Sequence, residues 1–147
     1  MKRFKFSLQK ILDLREREED LKMREFGLCR RNYLDSEEKL KGLKDRKNDC
    51  VKGAEVKPGQ GIDLKGRELY LNYLNHLGEC INQQQEQVSK SEERMESARE
   101  KWLQKRQKKE ILSRLKNKRQ ERYLTALRRE EQKEIDDLVT TRQAFSE

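Results

Sequence analysis

Residues 51–68, VKGAEVKPGQGIDLKGRE, hold the only proline of the chain, Pro58, and four of its seven glycines, Gly53, Gly59, Gly61 and Gly66. Proline fixes φ and removes a backbone donor, while glycine accepts positive φ without strain, so Pro-Gly-Gln-Gly at 58–61 is a dense turn signal. Both flanks are rich in Glu, Lys, Leu, Arg and Gln, which favour helix, and neither contains another proline. The stretch therefore predicts one connection between two long helices: a helix over 5–53, a turn over 54–63 and a second, longer helix over 64–143.

Apolar spacing outside the turn agrees. In the first helix, a seven-residue frame sets Leu12, Phe26, Tyr33 and Leu40 in one column with Glu19 and Lys47. Leu8, Cys29, Leu43 and Cys50 fall in the other, with Arg15, Lys22 and Ser36. In the second helix the columns are Leu74, Ile81, Val88, Met95, Trp102, Lys109 and Tyr70, Leu77, Gln84, Ser91, Ala98, Lys105, Leu112. A 3.5-residue period is the mark of a left-handed coiled coil, so the fold class is all-α, a long two-helix antiparallel coiled-coil hairpin in a single unit. Folding at Pro58 predicts partners whose residue numbers sum to about 120. Leu43 then faces Leu77, Leu40 faces Ile81, Tyr33 faces Val88, Phe26 faces Met95 and Ser36 faces Gln84. Arg15 near Lys105 is a like-charge conflict expected to open the seam. Ile11, Leu14, Leu21 and Leu28 form a second stripe off the main frame, either a local register shift or a face offered to another protein.

Composition limits what such a fold can do. Of 147 residues, 44% are charged and 32% hydrophobic, and the mean hydropathy is -1.27. Globular domains are roughly half apolar and about one quarter charged, so a thick core and a compact enzyme fold are not expected. The charges of both signs are interspersed, which favours helices burying a narrow seam over a disordered chain. Cys29, Cys50 and Cys80 are odd in number and form no CxxC pair, giving no disulfide framework and no zinc pattern. His76, the one histidine, reads as a surface residue. Phosphate-binding and hydrolase motifs are missing, so no catalytic residue, cofactor or metal is expected. Gln9, Lys10, Asp13 and Arg15 interrupt the amino-terminal apolar residues, which excludes a secretory signal, and no run is long enough to span a membrane.

The helices differ in length. At about 1.5 Å per residue, a first helix of that size reaches back only to around residue 115 of the second. An overhang from about 116 then lacks an internal partner, although Tyr123, Leu124, Leu127, Ile135, Leu138 and Phe145 recur at helical spacing. An uncovered amphipathic helix is marginal in water, so a docked partner is expected there. Between Lys101 and Lys133, thirteen basic residues meet four acidic ones, and this +9 holds the whole excess of a chain whose net charge is +8. Such a run suits a solvated face, an acidic protein surface or nucleic acid. Without base-stacking aromatics, specific nucleic-acid recognition is not expected, although a basic nucleic-acid-associated coiled coil is an alternative.

Three stretches carry a resemblance. FKFSLQKILDLRERE at 4–18 is similar to the start of the FliJ-type proteins of bacterial flagellar type III export, with its aromatic-x-aromatic-x-Leu-Gln-x-hydrophobic-Leu pattern. REKWLQKRQKKEILSRLKNKRQERY at 99–123 and EEQKEIDDL at 130–138 resemble that family's second-helix signatures. The resemblance implies a non-enzymatic cytoplasmic coiled coil, peripherally associated with the inner face of the cell membrane and a monomer when free. Its implied role is the central stalk of the export ATPase hexamer, linking that ring to the cytoplasmic ring of the export gate and to export chaperones. The stalk of a virulence type III secretion system is the near alternative. By the same resemblance, Arg119, Arg122, Leu124, Leu127, Arg128, Arg129, Ile135, Leu138 and Phe145 would meet the ATPase ring. Lys39, Leu43, Arg46, Cys50, Tyr73, Leu77, Cys80 and Gln84 would meet the gate. Arg46 and Cys50 stand where aromatic residues are often expected.

Overall fold

The computed structural model describes residues 2–55 and 64–146, with side chains for all of these but 54 and 55. It consists of two helices, α1 (Gln9–Glu55) and the longer α2 (Leu64–Ser146), and these pair as an antiparallel hairpin. The turn chemistry assigned to Pro58, Gly59 and Gly61 lies outside the described residues. Contacts group the chain into two units: residues 21–102, and residues 2–20 with 103–146.

The unit of residues 21–102 follows the heptad frame. Phe26, Cys29, Tyr33, Ser36, Leu40, Leu43 and Cys50 of α1 are half-buried, while Lys47 of the same frame is exposed. On α2, Tyr70, Leu74, Gln84, Val88, Ser91, Met95, Ala98 and Trp102 are half-buried, and Leu77 and Ile81 are buried. The alternating three- and four-residue steps keep these side chains on one face as the helices wind together. Three polar contacts fix the pairing. Tyr70 Oη donates to the Cys50 carbonyl at 3.0 Å, Gln84 Nε2 donates to the Ser36 carbonyl at 3.0 Å, and the Ser36 and Ser91 hydroxyls meet at 3.4 Å. The first two pairs have the expected sum of 120. Farther along, Phe26 stacks on Trp102, with centroids 5.5 Å apart and planes 13° off parallel, one heptad beyond the expected Met95. In knobs-into-holes packing a side chain lies between two residues of the partner helix, and Ser36 meets both Gln84 and Ser91. Phe26 leans to the later one, where ring stacking adds to burial and the small Cys29 and Ala98 leave room.

The unit of residues 2–20 and 103–146 departs further from expectation. α1 begins at Gln9, four residues later than the pattern suggests. The preceding residues are not helical, and the first helical bond runs from the Leu12 amide to the Leu8 carbonyl at 2.9 Å. Within this non-helical segment Phe4 and Phe6 both meet side chains of α2. Phe4 meets the Tyr123 ring at 5.5 Å, and Phe6, only 8% exposed, lies under the Arg119 guanidinium at 5.5 Å. Arg119 also donates to Ser7 Oγ at 2.9 Å, and Tyr123 Oη donates to the Lys2 carbonyl at 2.8 Å. The amino terminus reaches Tyr123 instead of stopping near 115, because residues 2–8 continue along α2 and the pairs Glu18–Lys105, Glu19–Lys109, Ser7–Arg119 and Lys2–Tyr123 all have sums above 120, and Leu127 is the last half-buried residue of α2.

The expected conflict between Arg15 and Lys105 does not arise. Glu18 lies between them, accepting from Arg15 Nη1 at 3.1 Å and from Lys105 Nζ at 3.4 Å. Four residues along α2, Lys109 Nζ pairs with Glu19 at 3.2 Å. These layers are only partly covered, and beside them Leu12 is 3% exposed. The sequence column held the two cations but not Glu18, which is three residues from Arg15 and so on the same helical face. The second stripe does not enter the seam through a register shift: Ile11, Leu14, Leu21 and Leu28 all face solvent.

Candidate partner-binding surfaces

Two groups of residues singled out by sequence are placed very differently. On α2, every described residue from 128 to 146 is exposed, although the segment is helical throughout. Ile135, Leu138 and Val139 are adjacent on one face by their three- and four-residue spacing, and Phe145 follows at 88% exposure. Leu138, Val139, Arg142 and Phe145 line one shallow concavity. Leu124 is exposed and Leu127 half-buried at the start of this stripe. Cooperative helix formation without a packed face is marginal in water, so an uncovered stripe of this size is poised to be buried.

Charge along α2 divides at the same place. Residues 101–127 carry ten cations against Glu110 and Glu121, and Lys105 and Lys109 among them face the carboxylates of α1. From 128 onwards, Arg128, Arg129, Lys133 and Arg142 meet Glu130, Glu131, Glu134, Asp136 and Asp137. The uncovered segment is thus near neutral, where a basic overhang was expected. The basic block instead lies mostly where α1 and the non-helical amino terminus run beside it. Arg122 and Arg129 line one concavity with Lys118, whereas Arg119 is occupied by Phe6 and Ser7.

The second group lies in residues 21–102. Lys39, Leu43, Arg46 and Gln84 line one cleft, of about 320 Å³, with Gly42 at its floor. A side chain on Gly42 would point into open space, so the glycine itself is not required there. Tyr73 is 45% exposed, and Cys80 Sγ lies 3.7 Å from His76 Nε2 on the same helix. Leu77 is 4% exposed and fills the seam, and Cys50 is half-buried, its carbonyl taken by Tyr70. The structure therefore brings four of these residues to one opening and withdraws Leu77 from the surface.

Electrostatics are local. Glu18 is held below the ordinary carboxylate range by the hydrogen bond from Arg15, against the opposing effect of burial, with Lys105 adding to the lowering. Tyr33 is pushed up to about 12, chiefly because its hydroxyl donates to Glu37 Oε1 at 2.5 Å, a bond that deprotonation would replace by repulsion. Among the described residues no group of His, Cys, Asp and Glu is arranged to hold a metal, and no helix is long and apolar enough to cross a membrane. His76 is exposed, and Cys29, Cys50 and Cys80 are free thiols. Sequence reasoning had not found the Phe4–Phe6 clasp on Arg119 and Tyr123; the period-two spacing of the phenylalanines was the signal available for it.

The sequence of this chain is similar to those of known proteins. The profile of the family described as "Flagellar FliJ protein" matches residues 4–146. A protein of Salmonella typhi named "Flagellar FliJ protein" is 28% identical over 133 residues, covering 90% of each chain.

Proposed function

Since the chain belongs to the flagellar FliJ family and is a flagellar export-associated protein, we propose that it works there as the non-enzymatic central stalk of the export ATPase ring. The observation that carries this reading is the helical, fully exposed segment 128–146, whose Ile135, Leu138 and Phe145 need a partner to leave water. In the proposed complex that stripe is buried within the ring, with Leu124 and Leu127 at its base. Arg122, Arg128 and Arg129 meet carboxylates of the ATPase, and Arg119 stays with the clasp. The stalk has no chemistry of its own. It acts by binding one arrangement of the ring more tightly than another, which shifts the population of subunit states and hence turnover.

The cleft of Lys39, Leu43, Arg46 and Gln84, together with Tyr73 and Cys80, is the proposed contact with the cytoplasmic ring of the export gate. Of the other residues expected there, Leu77 fills the seam and the Cys50 carbonyl accepts from Tyr70. Export chaperones are the third proposed partner. The protein is then a free monomer in the cytoplasm and a peripheral component at the inner face of the membrane once assembled. The printed name of the relative favours the flagellar over the virulence system. The deciding experiment titrates the protein into the export ATPase of the same organism. Increased turnover and hexamer population are expected, both lost on changing Ile135 and Leu138 to Asp; unchanged turnover and assembly with the unaltered protein would overturn the reading.

A further inference from the structure

The uncovered segment of α2 has an internal order that amphipathicity alone does not require. Arg128, Glu131, Ile135, Leu138, Arg142 and Phe145 follow one another in alternating steps of three and four residues, the spacing of one coiled-coil seam. All of them are exposed, Ile135 by 54% and Leu138 by 70%. This row is complementary to its own reverse. Laid antiparallel against a second copy, Ile135 meets Leu138, Glu131 meets Arg142 and Arg128 meets Phe145, and the two-fold axis makes each layer twice. Two apolar layers then lie at the centre, a carboxylate faces a guanidinium on either side, and a guanidinium covers a ring at each end, as Arg119 covers Phe6 within the chain.

The flanks of the row fit the same arrangement. Gln132 and Val139 border it on one side and Glu134 and Thr141 on the other, so that Gln132 faces Val139 and Glu134 faces Thr141 across an antiparallel pair. The other charged residues of the segment, Arg129, Glu130, Lys133, Asp136 and Asp137, fall on the far side of the helix in this frame. Charge also rejects the alternatives. A parallel pair in register would set Arg128, Glu131 and Arg142 each against its own equal. Sliding the antiparallel pair by one heptad would press Arg142 on Leu138 in one direction and Glu131 on Ile135 in the other, with the ion pairs lost. A partner helix of one charge sign would oppose either Glu131 or the two arginines. Polar residues in a seam fix orientation and register at a cost in stability, and here they fix the row against itself.

We infer that residues 128–146 are a self-pairing site, at which two copies of the chain lie antiparallel with Ile135 of each on Leu138 of the other. Each helix covers the stripe of its equal, which lends stability to a segment that is marginal alone. Two apolar layers make a weak contact, so the pair separates on dilution and the dilute chain is a monomer. Pairing uses the side chains that any other partner of this segment would bury, so the second copy and that partner exclude each other. Self-pairing needs no other protein, and its test is independent of the stalk reading.

Sedimentation equilibrium of the full-length protein in physiological salt, with a reductant to keep Cys29, Cys50 and Cys80 as thiols, is expected to show a reversible monomer–dimer equilibrium between about 1 μM and about 1 mM. Leu138→Asp is expected to abolish it. Glu131→Arg and Arg142→Glu are each expected to weaken it at least about tenfold, because each creates two like-charged layers. Combining both changes in one chain is expected to restore pairing, and so is mixing the two single variants, which then pair with each other. Glu131, Leu138 and Arg142 face solvent, so an unaltered circular dichroism melt of the dilute protein is expected to accompany each change. A chain that stays monomeric throughout overturns the assignment, and Leu138-dependent binding of that monomer to phosphatidylglycerol vesicles would give the stripe to a membrane. A dimer that survives Leu138→Asp overturns it too, as does one whose charge reversals are not rescued by the exchange.

Discussion

The two units use the same heptad frame with different side chains. Between residues 21 and 102 the frame is filled by Leu77, Ile81, a Phe26–Trp102 stack and a run of small residues, with neutral hydrogen bonds across it. In the unit of residues 2–20 and 103–146, the same positions hold Arg15, Glu19, Lys105 and Lys109, and before Gln9 the helix gives way to a non-helical segment with alternating aromatics. A heptad position thus specifies where a side chain points and not what it contributes. Apolar layers contribute burial that is indifferent to pH and salt, whereas partly exposed ion pairs contribute little net stability, and that little depends on both.

The contrast can be broken most forcefully at the buried leucines. Leu77→Ala and Leu12→Ala, one in each unit, are expected to cost about 2–4 kcal/mol apiece in chemical denaturation, while Leu138→Ala on the uncovered segment is expected to stay within about 0.5 kcal/mol. Parity among the three would mean that the second unit is not held by its single buried leucine. Removing the stack with Phe26→Ala is expected to cost about 3 kcal/mol, of which about 0.5–1.5 kcal/mol belongs to ring stacking beyond burial. Loss of the near-ultraviolet dichroism of Trp102 is the direct readout.

Smaller effects separate the units more cleanly. Tyr123→Phe keeps the ring against Phe4 and deletes only the bond to the Lys2 carbonyl, at an expected cost of about 1 kcal/mol. Hydrogen exchange should rise at residues 7–12 and remain unchanged around Ile81. Acid offers a second means of separation. Glu18 has a lowered folded-state pKa, so the unfolded form takes up a proton first. Its contribution is complete above the unfolded value of about 4.3 and fades as pH falls through the folded one. Exchange protection beside Glu18 should therefore decline below pH 4, with Glu18→Gln flattening the dependence. Tyr33 is the smallest and has the opposite sign. Its hydroxyl keeps its proton until pH reaches about 12, where its bond to Glu37 is lost, and Glu37→Gln should bring its absorbance titration to lower pH.

Much of this was legible in the sequence. Every α1 frame position from Leu12 to Leu43 is turned from solvent, because a 3.5-residue period can be read without knowing any distance. Distances were the weak point. Leaving out the residues before the helix and holding the paired sum at 120 shortened the first arm and turned the basic block into an overhang, when the overhang starts near 128 and is close to neutral. The Arg15–Lys105 conflict was misjudged for a related reason. A column view of the seam omits the neighbour three residues on, and Glu18 is that neighbour. Of the residues expected at the gate by resemblance, Lys39, Leu43, Arg46 and Gln84 share a cleft, while Leu77 sits in the seam, as its column opposite Leu43 had indicated.

The bond from Tyr123 to the Lys2 carbonyl bears on how this protein is handled at the bench. Anything fused ahead of Lys2 emerges beside Tyr123, at the root of the uncovered α2 segment, and a bulky affinity handle there would crowd the surface a pull-down is meant to sample. A handle on the far side of Phe145 crowds the other end of the same stripe. A small label at an exposed polar position of α2, such as Asn82, Gln83 or Gln85, leaves both clear.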